Sequence, residues 1–197
     1  MTFLKSFLLL IIIPLCFLSC KKNRGCTDPE ALNFNKSAQK DDHSCYYFWI
    51  GQSYGGGKIF YIDQTKKHGL IAATFSLGIS PWGCDNTVLN QTNGTFVGQG
   101  FQNTQSIVNN CPGFNAASLC YNLDTLGYDD WYLPSAEELL GLSTTLGYSG
   151  EANLGTSGHW SSSENDSTSA WGVYFSQSIK ILMGKTAYSG VRAIRSF

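Results

Sequence analysis

The sequence predicts an α+β domain preceded by a short leader and a small cysteine-flanked module. Three observations carry that reading. Strand candidates gather at both ends of the body, helical segments lie between them, and 43% hydrophobic side chains suffice for a real core.

Along the body, SYGGGKIFYIDQTKKHGLIAA reads as two strands around a polar turn at residues 64–69. Gly55-Gly56-Gly57-Lys58 is not a phosphate loop. No glycine stands at position 52, Ile59 replaces the Ser/Thr that would hold magnesium, and the glycines precede a strand rather than a helix. They are read instead as points of close backbone packing. Residues 76–102 carry Gly, Asn, Thr and Gln with Trp82 and Phe96, a long loop-rich stretch that compact domains seldom keep without a use. Short helices are expected around residues 103–109 and 115–126. In YDDWYLPSAEELLGL, residues 131–133 extend into Pro134, and Ser135 with Glu138 form the S-x-x-E capping box of a helix bearing Leu139, Leu140 and Leu142. HWSSSE, SAWGVYF, SIKILM and YSGVRAIRSF give four short strand candidates separated by polar turns.

Composition narrows the partners. Charged residues are 14% of the chain and the net charge is -1, against about 25% charged in an ordinary soluble domain. The chain is too apolar to be disordered and too neutral to hold polyanions by bulk attraction, so nucleic acid is excluded as an expected partner.

Residues 7–18 (FLLLIIIPLCFL) form an apolar run of 12, with Lys5 before it and Pro14 within it. A bilayer core takes about 20 residues to span, so the run fits the apolar region of a signal peptide. It ends in Phe17-Leu18-Ser19-Cys20, which resembles a bacterial lipoprotein cleavage site, with Phe17 where Leu is usual. That resemblance implies a signal over residues 1–19, a Cys20 bearing a diacylglyceryl group and an N-acyl chain, a tether over residues 20–25, and anchoring to the outer membrane. Lys21, Lys22 and Arg24 follow, whereas surface-sorted lipoproteins often carry acids there, so the side of that membrane stays open.

Cys16 would leave with the signal and Cys20 would take lipid, leaving Cys26, Cys45, Cys84, Cys111 and Cys120. Export permits disulfides. Residues 25–45 are similar to a short module common in exported bacterial proteins, in which flanking cysteines close a loop around an Ala-Leu-Asn-Phe centre; this implies a Cys26 to Cys45 bridge within a module over residues 26–47. Asp28, Asp41 and Asp42 are read as turn and cap residues, because the alternating Asp/Asn loop of a calcium site is absent. Of the other three cysteines, Cys120 shares a helical face with Ala116, Leu119 and Leu123 and reads as a small buried hydrophobe. Cys84 and Cys111 are then the expected second bridge, with Cys84 to Cys120 a competing pairing.

From residue 48 to 197, the series GGGKIFYI, GLIAA, WGC, GQGFQNTQSIVNNC, DDWYLPSAEELLGL, HWSSSE, AWGVYF and VRAIRSF resembles the Lcl C-terminal domain family of bacterial collagen-like adhesins and surface lipoproteins. The resemblance implies a C-type-lectin-like fold of short curled antiparallel strands with flanking helices. Trp131, Leu133, Pro134, Glu138 and Leu139 match one family segment, Trp160 to Ser163 another, and Trp171, Val191, Arg192 and Arg195 the end motifs. Trp131, Pro134, Glu138, Trp171, Arg192 and Arg195 are expected to be architectural, with Glu137 or Glu138 as partner of an internal arginine. The Glu-Pro-Asn and Trp-Asn-Asp calcium triplets of sugar-binding relatives are absent. No metal or cofactor is therefore expected, and Glu164, Asn165 and Asp166 are read first as a solvated turn. Candidate binding residues are Trp82, Asn86, Asn90, Gln91 and Asn93 in the long loop, and Trp160, Glu164 and Asp166.

Catalysis has little support in the residues. His43, His68 and His159 lack metal-ligand spacing, and neither G-x-S-x-G nor H-E-x-x-H occurs. The expected function is non-catalytic adhesion or recognition of a glycan or protein at the envelope. The alternatives are a structural part of an envelope complex and, more remotely, a cysteine-dependent oxidoreductase of the formylglycine-generating type.

Overall fold

The structure, a computed structural model, describes residues 22–89, 92–147 and 158–197. The leader with Cys20, and the loop residues Asn90 and Gln91, lie outside the described residues. The chain is mixed α and β, strand-rich, with three short helices among the described residues.

Strands β1 (Ser53–Tyr54), β2 (Gly57–Ile62), β3 (Gly69–Ala73) and β9 (Ile194–Ser196) form one antiparallel sheet in the order β1-β2-β3-β9. A side chain at Gly57 would meet the Ala72 carbonyl of the neighbouring strand, so the glycine permits the close approach expected of it. GLIAA is buried at every position, as befits a strand covered on both faces. Ile71 and Ala73 join one core cluster, with Ile59, Ile107, Trp131 and Trp160. Leu70 and Ala72 join another, with Phe60, Leu139, Leu142 and Val173. The alternation of a strand thus divides the interior in two.

The second sheet runs β4-β8-β5-β6-β7, from β4 (Ile79–Ser80), β5 (Gly158–Glu164), β6 (Ser169–Tyr174), β7 (Ile179–Gly184) and β8 (Ser189–Gly190). Helices α1 (Gly100–Asn110) and α2 (Ala116–Tyr121) place Ile107, Cys111, Ala117 and Cys120 in the first cluster. Helix α3 (Ala136–Leu146) places Leu139, Leu142 and Leu146 in the second. α1 begins three residues before the expected start, and α2 ends five residues short of Leu126. Leu126 and Gly127 take positive φ in a turn where Thr125 and Tyr128 exchange backbone hydrogen bonds, a stop that helical periodicity does not reveal.

The capping box forms as read. Ser135 Oγ accepts from the Glu138 N–H (3.3 Å), and the Glu138 carboxylate accepts from the Ser135 N–H (2.7 Å). Glu138 also accepts from Gly98 N–H (2.8 Å), so it fixes the end of the long loop as well. Pro134 is buried, and its carbonyl accepts from Ser162 N–H. Trp131 is buried as expected, whereas Trp171 is half-buried beneath Lys180.

The expected arginine partners need correction. Glu137 pairs with Lys180. Arg195 makes a bidentate bridge to Asp130 (2.6 and 2.8 Å), donates to the Gly55 carbonyl and lies 4.0 Å above the Tyr128 ring. Arg192 is fully buried and donates to the Ala73 carbonyl (3.0 Å). The sheet end carries Asp130 on the loop before Pro134, nearer Arg195 than the helix carboxylates, whose oxygens are already engaged.

Cys26 and Cys45 are bridged, as are Cys84 and Cys111, with Cα separations of 4.8 and 5.4 Å. Cys120 is a buried free thiol. Asp28, Asp41 and Asp42 each accept a backbone N–H two residues on, the turn role read for them. A 19-residue separation between bridged cysteines corresponds to about 3 kcal/mol in the chain-entropy model, which explains how a module with little buried besides Cys26 and Ala31 keeps its shape.

Burial pushes the Cys120 thiol above its usual range. Beyond Cys16 and Cys20, thiol titration of the unreduced chain should therefore detect no reactive cysteine in the native state and one after denaturation; three would contradict the pairing. The Arg195 guanidinium holds the Asp130 carboxyl below its ordinary value. Its contribution is complete above the unfolded value, about pH 4, and is lost as pH falls through the lower folded value. Asp130→Asn should flatten part of the acid limb of the stability curve measured by denaturant unfolding, with Asp166 and the other turn aspartates accounting for the remainder.

Candidate functional site

The long loop between β4 and α1 is held down from within. Lys185, just after β7, has its side chain fully buried. Its Nζ donates to Glu164 Oε1 (2.6 Å) at the end of β5 and to the carbonyls of Thr87 (2.7 Å) and Cys84 (3.4 Å) in the loop, and it sits 4.8 Å from the Trp82 ring. Glu164 accepts in addition from Leu89 N–H (2.9 Å) and Thr92 Oγ1 (2.9 Å). A buried ion pair contributes only when its remaining hydrogen-bonding capacity is met, and here the loop backbone meets it.

This arrangement corrects several candidate residues. Trp82 is fully buried, its indole N–H donating to the Ser161 carbonyl (2.8 Å) and its backbone N–H to the Lys185 carbonyl. Trp160 is fully buried too and donates to the Ser80 carbonyl (2.9 Å). Neither ring face is open to a ligand; both indoles pin β4 and the start of the loop to β5. Glu164 spends its oxygens on Lys185, Leu89 and Thr92. Asp166 ends a tight turn, accepting from the N–H groups of Thr168 and Ser169 (2.8 Å each), and these bonds lower its carboxyl to about 2. Asn86 is exposed at positive φ, and its amide donates to Asp85. Asn90 and Gln91 lie outside the described residues.

Asn93 has company. With Gly94, Gln99, Gln102 and Asn103 it lines a cavity of about 240 Å3 at the start of α1. Gln99 Oε1 accepts from Phe96 N–H (2.9 Å), and Asn103 Nδ2 donates to the Gly94 carbonyl (2.7 Å). Those two amides are fixed, whereas Asn93 and Gln102 are exposed and their side-chain amides have no hydrogen bond among the described residues. Phe96, at 71% exposure, and Phe101, at 44%, flank the cavity in sequence. Among the described residues no ionisable group lines it. Such a site is chemically suited to a neutral polyhydroxylated ligand, with amides for its hydroxyls.

The serine run is structural. Ser161 Oγ donates to Trp171 O (2.6 Å), Ser163 Oγ donates to Gly94 O (2.6 Å) and accepts from Ala136 N–H (3.0 Å), and Ser162 Oγ accepts from Asn103 Nδ2 at 3.4 Å. These hydroxyls brace the loop, α3 and β5 together. His159 is buried and stacked on Phe175 (centroids 4.1 Å apart). Among the described residues no group of three His, Cys, Asp or Glu could hold a metal ion, and no helix is long and apolar enough to cross a membrane.

Sequence reasoning missed Lys185 and the Gln99, Gln102 and Asn103 side of the cavity. A lysine after a strand-ending glycine gives no local sign of burial. The amides had a sequence signal in GQGFQNTQ, but nothing in that local pattern shows that they line one cavity. No protein-family model matches the chain, and no curated protein matches it.

Lys185→Met leaves Glu164 buried without its cation and should cost about 3–5 kcal/mol in denaturant unfolding. Adding Glu164→Gln should make the chain more stable than Lys185→Met alone. A loss under about 0.5 kcal/mol for Lys185→Met would contradict the clamp.

Proposed function

We propose that this is an exported envelope protein, lipid-anchored through Cys20, whose main domain is C-type-lectin-like, related to the Lcl C-terminal domain family, and recognises a neutral glycan without catalysis. The observation that carries the reading is the amide-lined cavity at the start of α1, with two amides fixed by the fold and two without a hydrogen bond among the described residues. Pairing of the early strand β3 with the last strand β9, and a long loop ahead of the first helix, support the fold assignment. The apolar residues 7–18 ending at Ser19-Cys20 support export and anchoring.

The non-catalytic reading is supported by how the reactive groups are spent. The serines bond to backbone, Cys84 and Cys111 are bridged, and Cys120 is buried with its thiol pushed upward. A nucleophile needs an adjacent base and access to substrate, and a formylglycine-type oxidoreductase needs a usable thiol pair. A second reading, a structural part of an envelope complex, draws on a different observation: an open groove of about 510 Å3 beside β7 lined by Ile79, Tyr174, Met183 and Tyr188.

On a glycan array, the chain should bind neutral oligosaccharides saturably, with no loss on chelation of divalent ions. Asn93→Ala with Gln102→Ala should weaken binding about 10-fold or more, since each lost hydrogen bond is worth about 1 kcal/mol. Binding unaffected by both substitutions, or co-purification with a stable envelope partner and no glycan signal, would favour the second reading.

A further inference from the structure

The basic residues behind Cys20 play no part in the amide cavity, and the fold gathers them. The N–H groups of Gln39 and Lys40 donate to the Asn23 carbonyl (2.8 and 3.2 Å), and Gly25 N–H donates to the Lys40 carbonyl (3.2 Å). Arg24 and Lys40 thereby pair as a parallel bridge. The result is an open cavity of about 560 Å3 lined by Lys22, Asn23, Arg24 and Lys40. The Cys26 to Cys45 bridge closes the module immediately behind it, so the two chain segments that carry the cations are held together.

Among the described residues no carboxylate lines this cavity, and the acids of the same module are engaged elsewhere. Asp28 takes the Tyr47 hydroxyl, Glu30 pairs with Lys66, Asp41 pairs with His43, and Asp42 caps a turn at Ser44. Three cations therefore converge without internal compensation. That is unusual in a chain whose composition argues against any polyanion partner.

We propose that Lys22, Arg24 and Lys40 form a headgroup site that seats the phosphate of an anionic lipid in the leaflet carrying the anchor. The proposal rests on the reading of Cys20 as the lipidated residue. Lys22 and Arg24 lie two and four residues beyond Cys20, at most about 7 and 14 Å of extended chain. The polar headgroup zone is about 5–8 Å deep on each side of a bilayer, so the cavity falls within reach of it. Arginine offers a planar fork that matches two phosphate oxygens, and the lysines supply mobile point charges beside it. Acyl chains alone fix depth but leave the domain free to tilt. A headgroup held at this cavity would limit that tilt.

The test uses the full chain, purified in detergent and mixed with vesicles of phosphatidylcholine alone or with phosphatidylglycerol added. Flotation reads membrane association, intact mass reads the modification at Cys20, and amine-reactive labelling followed by peptide mass spectrometry reads each lysine. The proposal expects Lys22 and Lys40 to be labelled about five-fold more slowly on the anionic vesicles, as about 1 kcal/mol per cation implies, with Lys67 unchanged. The protection should disappear at high salt. The combined variant Lys22→Gln, Arg24→Gln and Lys40→Gln should still form the Cys26 to Cys45 bridge, because these side chains are exposed, and should float without distinguishing the two compositions. Flotation with both vesicles and no selective protection would overturn the headgroup site and keep the anchor. Flotation with anionic vesicles only, with Cys20 unmodified, would keep the site and overturn the anchor. Equal slowing of Lys67, or protection by a sulfated polysaccharide but not by anionic vesicles, would also overturn the proposal.

Discussion

One buried cation organises the face of the molecule on which a site could be built. Lys185 reaches from the end of β7 into the space beneath the long loop, where it meets the Glu164 carboxylate and two loop carbonyls. Burying an ammonium and a carboxylate is costly unless both are paired and hydrogen-bonded. Here the bonds that satisfy them come from Cys84, Thr87, Leu89 and Thr92, the residues that would otherwise have least reason to stay in place. The loop has little apolar weight of its own beyond Trp82 and Leu89. Its order therefore comes from polar groups that only one arrangement satisfies, with the Cys84 to Cys111 bridge tying the same segment to the end of α1.

A second set of braces carries that order toward the amide cavity. The Gly94 carbonyl is held by both Ser163 and Asn103, and Glu138 joins the cap of α3 to Gly98 just before α1. The floor of the cavity is thus assembled from the serine-rich strand, a helix cap and a loop, each fixed by bonds to the others. Gln99 and Asn103 are committed to this framework, whereas the Asn93 and Gln102 amides have no hydrogen bond among the described residues. Binding to a site built this way loses little conformational entropy, because the supporting groups are ordered beforehand.

Legibility of the fold followed the range of the interactions. Residues 135–138 carry their capping box in four letters, Gly57 sits where the strands approach, and Asp28, Asp41 and Asp42 close turns two residues long. All of these are local. The cysteine pairing of Cys84 with Cys111 was reachable because the helical face of Cys120 set that residue aside. Long-range polar contacts were not reachable. Nothing near Lys185 in sequence announces Glu164, 21 residues away, or Thr87, 98 residues away. Trp82 and Trp160 stand among the candidate binding residues of the sequence, yet both indoles are buried and donate to distant backbone carbonyls, contacts that their sequence neighbours do not announce. Arg195 found Asp130, 65 residues away in sequence, rather than a helix glutamate, a tertiary contact absent from spacing alone.

Hydrogen–deuterium exchange across residues 82–99 tests most directly whether the loop is held from within. With Lys185 intact, the Leu89 amide, which donates to the Glu164 carboxylate, should exchange as slowly as amides of the neighbouring strands, and Lys185→Met should release it together with the rest of the loop while β2 and β3 stay protected. A Leu89 amide that exchanges freely in the unmodified chain, or protection of the loop unchanged by Lys185→Met, would contradict the account.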